Sequence, residues 1–400
     1  MKAFAPAPFA HTHPFRHTLL YAMRRIYLDN AATTPMADDV IEVMTRMMRE
    51  EYGNPSSIHA EGRRMRAAIE EARKTIARCT GAGTGEIFFT SGGTESNNMA
   101  IKCAVRDLGV RRIISTPLEH HCVLHAVERM GLEGIEVKLL PVDAAGRVDL
   151  AALETCLSQS EAPVTLVSLM YANNEIGTLL PFERAAALCA QYGAYFHSDT
   201  VQAVGHFPLN VQNVKVHFFS GAAHKFHGPK GVGFIYIRSD VKLRPYIDGG
   251  AQERNMRGGT ENVCGIIGMA KALQSACDEM EARKTHIVNL RRLMTAQLKA
   301  AIAGIRFNGP ESDDETLYTV LNVSFPPSPK NEMLLFALDI AGISASGGSA
   351  CSSGSERGSH VLEAIGADPA RKSVRFSFSH FNTEEEIVLA VEKIKEIVTK

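Results

Sequence analysis

The sequence predicts an α/β protein, with a mostly parallel sheet covered by helices on both faces and a smaller α+β domain attached. Three observations carry this reading. From residue 36, short apolar runs alternate with amphipathic stretches, the pattern of strands joined by crossover helices. After Gly265 the composition shifts to a long charged helical region followed by shorter strands. Finally, 400 residues, 45% of them hydrophobic and 22% charged, fill two or three globular domains at about 150 residues each.

Val40 to Met48 and Arg63 to Ala77 space their apolar residues by three and four, which marks amphipathic helices. Glu86 to Thr90 is a short apolar strand that runs into a Ser-Gly-Gly turn and a helical stretch from Glu95. Buried-strand runs follow at Arg112–Ser115, Val164–Met170, Ala194–His197, Val216–Phe219 and Gly233–Ile237. Helical stretches separate most of them, as a parallel sheet requires. The last two are too close for a crossover helix, so one of them is expected to run antiparallel. Ile266 to Ala303 reads as one long helical region, Thr319–Ser324 and Lys372–Ser377 as strands, and Thr383 opens a closing helix. The expected division is a large domain over 36–265 and a small one over 24–35 and 266–400. Residues 344–359 hold eleven Ser or Gly among sixteen, a composition too poor in apolar surface to order itself firmly, and Cys351 lies within it.

Residues 1–23 are read as a disordered extension. Met1 to Tyr21 contains no acid and no uninterrupted apolar core, so it does not read as a secretory signal. His11-Thr-His13 has no nearby Cys or carboxylate to complete a metal site. No run approaches the roughly 20 apolar residues that cross a bilayer. Lys and Arg number 43 against 44 Asp and Glu, so no global field favours nucleic acid or anionic lipid. The eight cysteines, at 79, 103, 122, 156, 189, 264, 277 and 351, form no C-x-x-C pair and read as reduced thiols of a cytoplasmic protein.

Several polar groups fall at predicted strand ends, where open α/β sheets bind ligands. Ser91-Gly-Gly-Thr94 sits between a strand and a helix and can cup an anion with backbone N–H groups, although a plain turn would look similar. Asp199, with Gln202 three residues on, is either a helix cap or a partner for a cationic ring nitrogen. Lys225 lies in Ala223-His-Lys-Phe-His-Gly-Pro-Lys-Gly231, as a solvated side chain or as a nucleophilic amine for Schiff-base chemistry. Taken in order, an anion cup, His120, Asn174, Asp199 with Gln202, and Lys225 supply what pyridoxal phosphate needs: phosphate donors, an imidazole for the ring face, a carboxylate for the ring nitrogen and an amine for the aldehyde.

Tyr27-Leu-Asp-Asn-Ala-Ala-Thr-Thr-Pro35, Tyr52-Gly-Asn-Pro-Ser-Ser57, Thr90-Ser-Gly-Gly-Thr-Glu-Ser96, Asn173-Asn-Glu-Ile-Gly177, His224-Lys-Phe-His-Gly-Pro-Lys-Gly231 and Arg257-Gly-Gly-Thr260 together closely resemble the cysteine desulfurases, which are class V, fold-type I pyridoxal-phosphate enzymes. The likeness runs from about Arg25 to the end. Gly348-Ser-Ala-Cys-Ser-Ser353 resembles the group with an extended catalytic-cysteine loop. The resemblance implies a mostly parallel, seven-stranded sheet, a homodimer and conversion of L-cysteine to L-alanine. It implies that Lys225 bonds the cofactor, that His120 stacks on its ring, and that Asp199 and Gln202 contact the ring nitrogen and phenolic oxygen. Asn174 would lie beside cofactor and substrate, with Gly93, Thr94 and His224 at the phosphate. Thr260 would be donated to the phosphate by a second subunit, and Arg375 would clamp the substrate carboxylate. Cys351 would carry a persulfide to an acceptor such as an iron–sulfur scaffold protein. No resident metal is implied, Cys351 being at most a transient iron–sulfur ligand.

Three departures stand out. Ala222 occupies a place where the family usually has Ser, which removes one phosphate hydroxyl; Ser379-His380-Phe381 replaces a usual Gly-Arg-Phe, so His380 receives no role; and Lys400 follows closely on the last helix, where scaffold-serving relatives often run longer, leaving the acceptor open. Same-fold alternatives are an aminotransferase and a selenocysteine lyase without persulfide transfer. A different class of reading is a non-catalytic partner protein that retains the fold.

Overall fold

The computed structural model describes residues 25–159, 163–347 and 358–399. The extension at 1–23 and Cys351 lie outside them. In chain order the elements are β1 (Ile26–Tyr27), α1 (Asp38–Glu50), α2 (Ala60–Thr80), β2 (Ile87–Thr90), α3 (Gly93–Asp107), β3 (Arg112–Ser115), α4 (His121–Leu132), β4 (Glu136–Leu139), α5 (Leu150–Leu157), β5 (Thr165–Ser168), α6 (Phe182–Gln191), β6 (Tyr195–Ser198), β7 (Phe218–Ala222), β8 (Gly233–Ile237), α7 (Val263–Asp278), α8 (Met280–Ala301), β9 (Arg306–Asn308), β10 (Val320–Phe325), α9 (Leu334–Ile340), β11 (Ile343–Ser344), α10 (His360–Ala364), β12 (Lys372–Ser377) and α11 (Glu384–Thr399).

The main sheet has seven strands in the order β2-β8-β7-β6-β5-β3-β4. β3 to β7 pair in parallel, while β8 runs antiparallel to both β7 and β2. The close spacing of the last two sequence runs therefore has the antiparallel consequence expected of it. Inner strands such as β3, β5 and β7 are fully buried, because helices cover both faces. On one face Ile69 and Ile76 of α2, Phe182 of α6, and Met269 and Leu273 of α7 pack against Val167, Phe196 and Phe219. On the other, Met99 and Cys103 of α3 and Val123 and Met130 of α4 pack against Ile113, Leu166 and Phe218.

A separate apolar cluster gathers Leu290 and Leu298 of α8, Leu334 and Leu338 of α9, and Ile387 and Ile394 of α11 around the antiparallel sheet β12-β10-β9. The stretch expected as one helix from Ile266 is two, broken between Asp278 and Met280. The first, α7, packs on the main sheet and only the second joins the smaller cluster, because Ile266, Met269 and Leu273 face the large core. β1 pairs in parallel with β11, so the segment preceding the large sheet is built into the small cluster through Ile26 and Leu28.

One buried ion pair fixes the turn after the main sheet. Arg73 of α2 is 1% exposed and forks onto Glu253, itself 2% exposed, at 2.8 Å through both nitrogens. The same carboxylate accepts the backbone N–H of Phe89 in β2 at 2.7 Å, and the guanidinium lies 4.5 Å from the Phe89 ring centre. Removing one partner leaves the other as an uncompensated buried charge, which costs about 3–5 kcal/mol. Glu253→Ala is therefore expected to lower the urea midpoint by a corresponding amount, whereas Glu71→Ala at an exposed pair changes little; equal midpoints for the two variants would contradict the pairing.

Candidate active site

The carboxyl ends of the parallel strands open onto one cavity of about 250 Å³. Gly93, Thr94, His120, Asn174, Asp199, Gln202, His224 and Lys225 line it, together with Arg375, which reaches in from β12 of the smaller sheet. The structure thus brings together nine residues singled out from the sequence. Thr260 is not among them. It is exposed and lines a neighbouring cleft of about 190 Å³ with Glu253, Arg257 and Glu261.

Most of these side chains follow the carboxyl end of a strand of the main sheet, whereas Arg375 comes from the middle of β12. Gly93 and Thr94 open α3 immediately after β2, two residues earlier than the helical pattern suggested, so the first turn of α3 faces the cavity. A Cβ at Gly93 would come within 2.6 Å of Val201, which leaves glycine as the residue that fits this approach. Lys225 follows β7, and its ammonium donates to the carbonyls of Ala31 at 2.5 Å and Ala32 at 2.9 Å. Gln202 donates to the same Ala31 carbonyl at 3.0 Å. His224 contacts the Thr33 hydroxyl at 3.3 Å, and burial, then the charges of Lys225 and Lys230, pull its pKa down to about 4. It is a neutral imidazole near pH 7.

Asp199, 6% exposed, directly follows β6, and its carboxylate accepts the Asn97 amide at 2.7 Å, the Val201 N–H at 3.0 Å and the Ser220 hydroxyl at 3.3 Å. Behind Asn97 lies His197, with Nε2 3.1 Å from the Asn97 oxygen and Nδ1 2.8 Å from the Ser168 hydroxyl. Burial pulls its pKa down to about 4, so the ring is neutral. The Asn97 amide faces Asp199, so its oxygen takes the Nε2–H and Nδ1 takes the Ser168 proton. Asn97, Ser220 and His197 were not singled out from the sequence; Asn97 lies four residues after Gly93, on the same helix face, and that spacing was the available signal.

His120 caps α4, its Nδ1 accepting the Cys122 N–H at 3.2 Å, and burial holds its pKa below the ordinary imidazole value. A cysteine, Cys122, also lines the cavity. Cys122 lies with Sγ 3.0 Å from that same Nδ1, and burial, reinforced by the charge of Asp199, pushes its thiol up to about 12. It stays protonated and is a poor nucleophile. Arg375, 1% exposed, donates through its two terminal nitrogens to the Asn174 carbonyl and to Asp29, each at 2.9 Å, while its buried Nε has no hydrogen-bond partner.

The segment holding Cys351 is anchored beside the cavity at both described ends. Ser346 exchanges backbone hydrogen bonds with Arg375, at 2.7 and 3.2 Å. On the far side, the Ser359 hydroxyl donates to Glu175 at 2.5 Å and His360 contacts the Glu119 carbonyl at 3.0 Å. Among the described residues, no cluster of three or more His, Cys, Asp or Glu could hold a metal ion.

Residues 26–389 match the family model described as "Aminotransferase class-V". The chain belongs to that family. It is similar to "Cysteine desulfurase IscS" of Dictyoglomus turgidum, 44% identical over 94% of this chain and 95% of that one, and to "Cysteine desulfurase NifS" of Azotobacter vinelandii, 40% identical over 94% of each. Among solved structures, a "NifS-like protein" superposes with a TM-score of 0.86 at 39% identity, covering 94% of this chain and 99% of that one. The fold of this class-V member is that of fold-type I pyridoxal-phosphate enzymes.

The donor set fits that cofactor: an amine at the cavity floor, a fixed carboxylate, an imidazole and an open helix start all face one space. Ala222, at the end of β7, also lines it, where a hydroxyl would face the start of α3. One added hydrogen bond contributes about 1 kcal/mol net. Ala222→Ser is therefore expected to slow loss of pyridoxal phosphate on dialysis by roughly fivefold, as read by residual absorbance. Unchanged or faster loss would mean that the remaining donors already saturate the phosphate.

Proposed function

We propose that this class-V family member is a cysteine desulfurase that converts L-cysteine to L-alanine and leaves the sulfur as a persulfide on Cys351. The observation that carries the reading is the convergence of Lys225, Asp199, His120 and Arg375 on one cavity, with both described ends of the Cys351 segment pinned beside it. Pyridoxal 5′-phosphate, when bound, supplies an aldehyde for the substrate amine and a cationic ring that draws electron density from Cα. Lys225 would bond that aldehyde at rest and move the Cα proton during turnover. Asp199, oriented by Asn97 and Ser220, would hold the ring nitrogen protonated, with His120 against the ring face and Gln202 and Asn174 at its edge. Gly93, Thr94 and His224 would hold the phosphate. Arg375 would take the substrate carboxylate through the guanidinium edge that carries its unpartnered Nε.

The Cys351 thiolate attacks the substrate sulfur: a sulfur–sulfur bond forms, the substrate carbon–sulfur bond breaks, and the carbon receives a proton to give alanine. Cys351 comes five positions after Ser346, which is bonded to Arg375 at the cavity, and an extended chain covers about 3.3–3.6 Å per residue. The persulfide then passes to an acceptor protein, for which an iron–sulfur scaffold is our proposal.

Thr260, exposed beside the open helix start, is proposed to serve the cavity of a partner subunit in a homodimer. The division into a large unit over 36–265 and a small one over 24–35 and 266–400 is likewise a proposal, supported by the two apolar clusters, with α7 packed on the larger. A cytoplasmic location is proposed from the seven unbridged cysteines among the described residues. No helix among them is long and apolar enough to cross a membrane.

Two variants test the reading. Lys225→Ala is expected to lower alanine formation from L-cysteine by about 10²- to 10⁴-fold, the range for losing a positioned acid–base group. Turnover near the unsubstituted rate would overturn the assignment. Cys351→Ser should keep the cofactor spectrum and its response to L-cysteine but release almost no alanine, and mass spectrometry of the unsubstituted protein should find one extra sulfur on the Cys351 peptide. Normal alanine release by Cys351→Ser would replace the persulfide route with a lyase that expels sulfur directly.

A further inference from the structure

Two cysteines far along the sequence from each other meet on the outer face of the large core. Cys79 lies in the last turn of α2 and Cys277 in the last turn of α7, and their thiols are hydrogen-bonded to one another. The two helices pack closely here: Ile76 and Ala77 of α2 and Leu273 and Ala276 of α7 are buried in the same cluster, against which both cysteines rest. One residue before Cys79, Arg78 donates to Gln274 of α7, so a second polar contact ties the same two helix ends. Both thiols are only partly buried, and Arg78 and Asp278 beside them are exposed.

We propose that Cys79 and Cys277 form a redox-responsive dithiol, which closes to a disulfide joining α2 to α7 on exposure to peroxide-class oxidants. The flanking charges assign the roles: the cationic Arg78 precedes Cys79, and the anionic Asp278 follows Cys277. The hydrogen bond from Cys277 favours the thiolate at Cys79, and the Arg78 charge adds to it, so the Cys79 pKa lies below that of an ordinary thiol. The same hydrogen bond, then burial, raises Cys277, which stays protonated. A partly exposed, low-pKa thiol beside a second thiol is the arrangement of a sensing cysteine with its resolving partner. Elsewhere burial pushes Cys103 to about 11 and Cys122 and Cys189 to about 12, which keeps them inert.

The chemistry balances without the cofactor. The Cys79 thiolate attacks one peroxide oxygen, the oxygen–oxygen bond breaks, and with one proton taken up Cys79 becomes a sulfenic acid and water leaves. The Cys277 sulfur then attacks the Cys79 sulfur, loses its proton and expels the hydroxyl as a second water. Two thiols are oxidised by two electrons and one peroxide is reduced to two waters. The crosslink would close a loop of nearly two hundred residues, which restricts the unfolded chain.

The test uses the cofactor-loaded Cys351→Ser protein, so that persulfide chemistry at 351 does not interfere. It is treated with equimolar hydrogen peroxide, alkylated and digested. A Cys79–Cys277 crosslinked peptide, two hydrogens lighter than the separate thiols, is expected before any change at Cys103, Cys122 or Cys189. Thermal melting should rise by several degrees and return with dithiothreitol. Adding Cys277→Ser should strand Cys79 as a sulfenic acid that dimedone captures, while adding Cys79→Ser should leave Cys277 unlabelled. Failure to crosslink, prior oxidation of a buried cysteine, or equal dimedone labelling at Cys277 in the Cys79→Ser variant would each overturn the proposal.

Discussion

The carboxylate of Asp29 holds the Arg375 guanidinium at 2.9 Å, and the carbonyls two and three residues further along the same strap receive the Lys225 ammonium. One of these side chains comes from the smaller sheet and the other from the end of β7 in the larger one, so the strap sets the distance between them. Its own position is fixed by backbone pairing: Leu28 and Asn30 bond to Ser344 and Ser377, and Thr34 bonds to the His224 carbonyl and accepts the His227 N–H. In the proposed reaction, a cation for a carboxylate and an amine for an aldehyde would act on one small molecule only if the two apolar clusters keep this spacing. The strap couples their packing to the chemistry.

Inside the cavity, burial selects which groups carry charge. His197 and His224 are neutral because desolvation penalises the imidazolium more than nearby Asp199 favours it at His197. A neutral His197 can present one N–H and one lone pair, which lets Ser168, His197 and Asn97 pass a fixed hydrogen-bond direction to Asp199. A protonated His197 would instead donate to both neighbours and require Ser168 to accept. The carboxylate is oriented by a chain of neutral dipoles, an arrangement that needs no compensating buried charge.

Much of this was legible in the sequence for identifiable reasons. The inner strands β3, β5 and β7, and the edge strand β2 with all four of its residues buried, read as short apolar runs, and their carboxyl ends pointed to site residues that line the cavity. The exposed edge strand β4 and the two-residue strands carried no such signal. Glu136–Leu139, at the sheet edge, alternates charge and apolarity with exposed faces, and Ile26–Tyr27 and Ile343–Ser344 are two residues each. The break between α7 and α8 was hidden because charged residues continue through it, while the burial that separates the two helices is a tertiary fact. Asn97 and His197 were missed because their role is to orient another residue, and a sequence shows spacing but not what faces what.

The thiol that lines the cavity is unsuited to act as a nucleophile. Cys122 faces the space where a substrate would sit, yet burial and the neighbouring Asp199 keep it protonated, and its sulfur is directed at the His120 nitrogen. A thiol fixed in that place would have to be ionised against the same desolvation that keeps His197 and His224 neutral. It would also have no way to leave with its sulfur. A nucleophile that must attack inside the cavity and deliver outside it belongs on a segment tethered at the rim, and the two tethers, Ser346 on Arg375 and Ser359 on Glu175, lie next to the residues that would hold the substrate carboxylate and the cofactor edge. Fixed groups orient a bound molecule, and in the proposed reaction the sulfur carrier must move between the cavity and its acceptor.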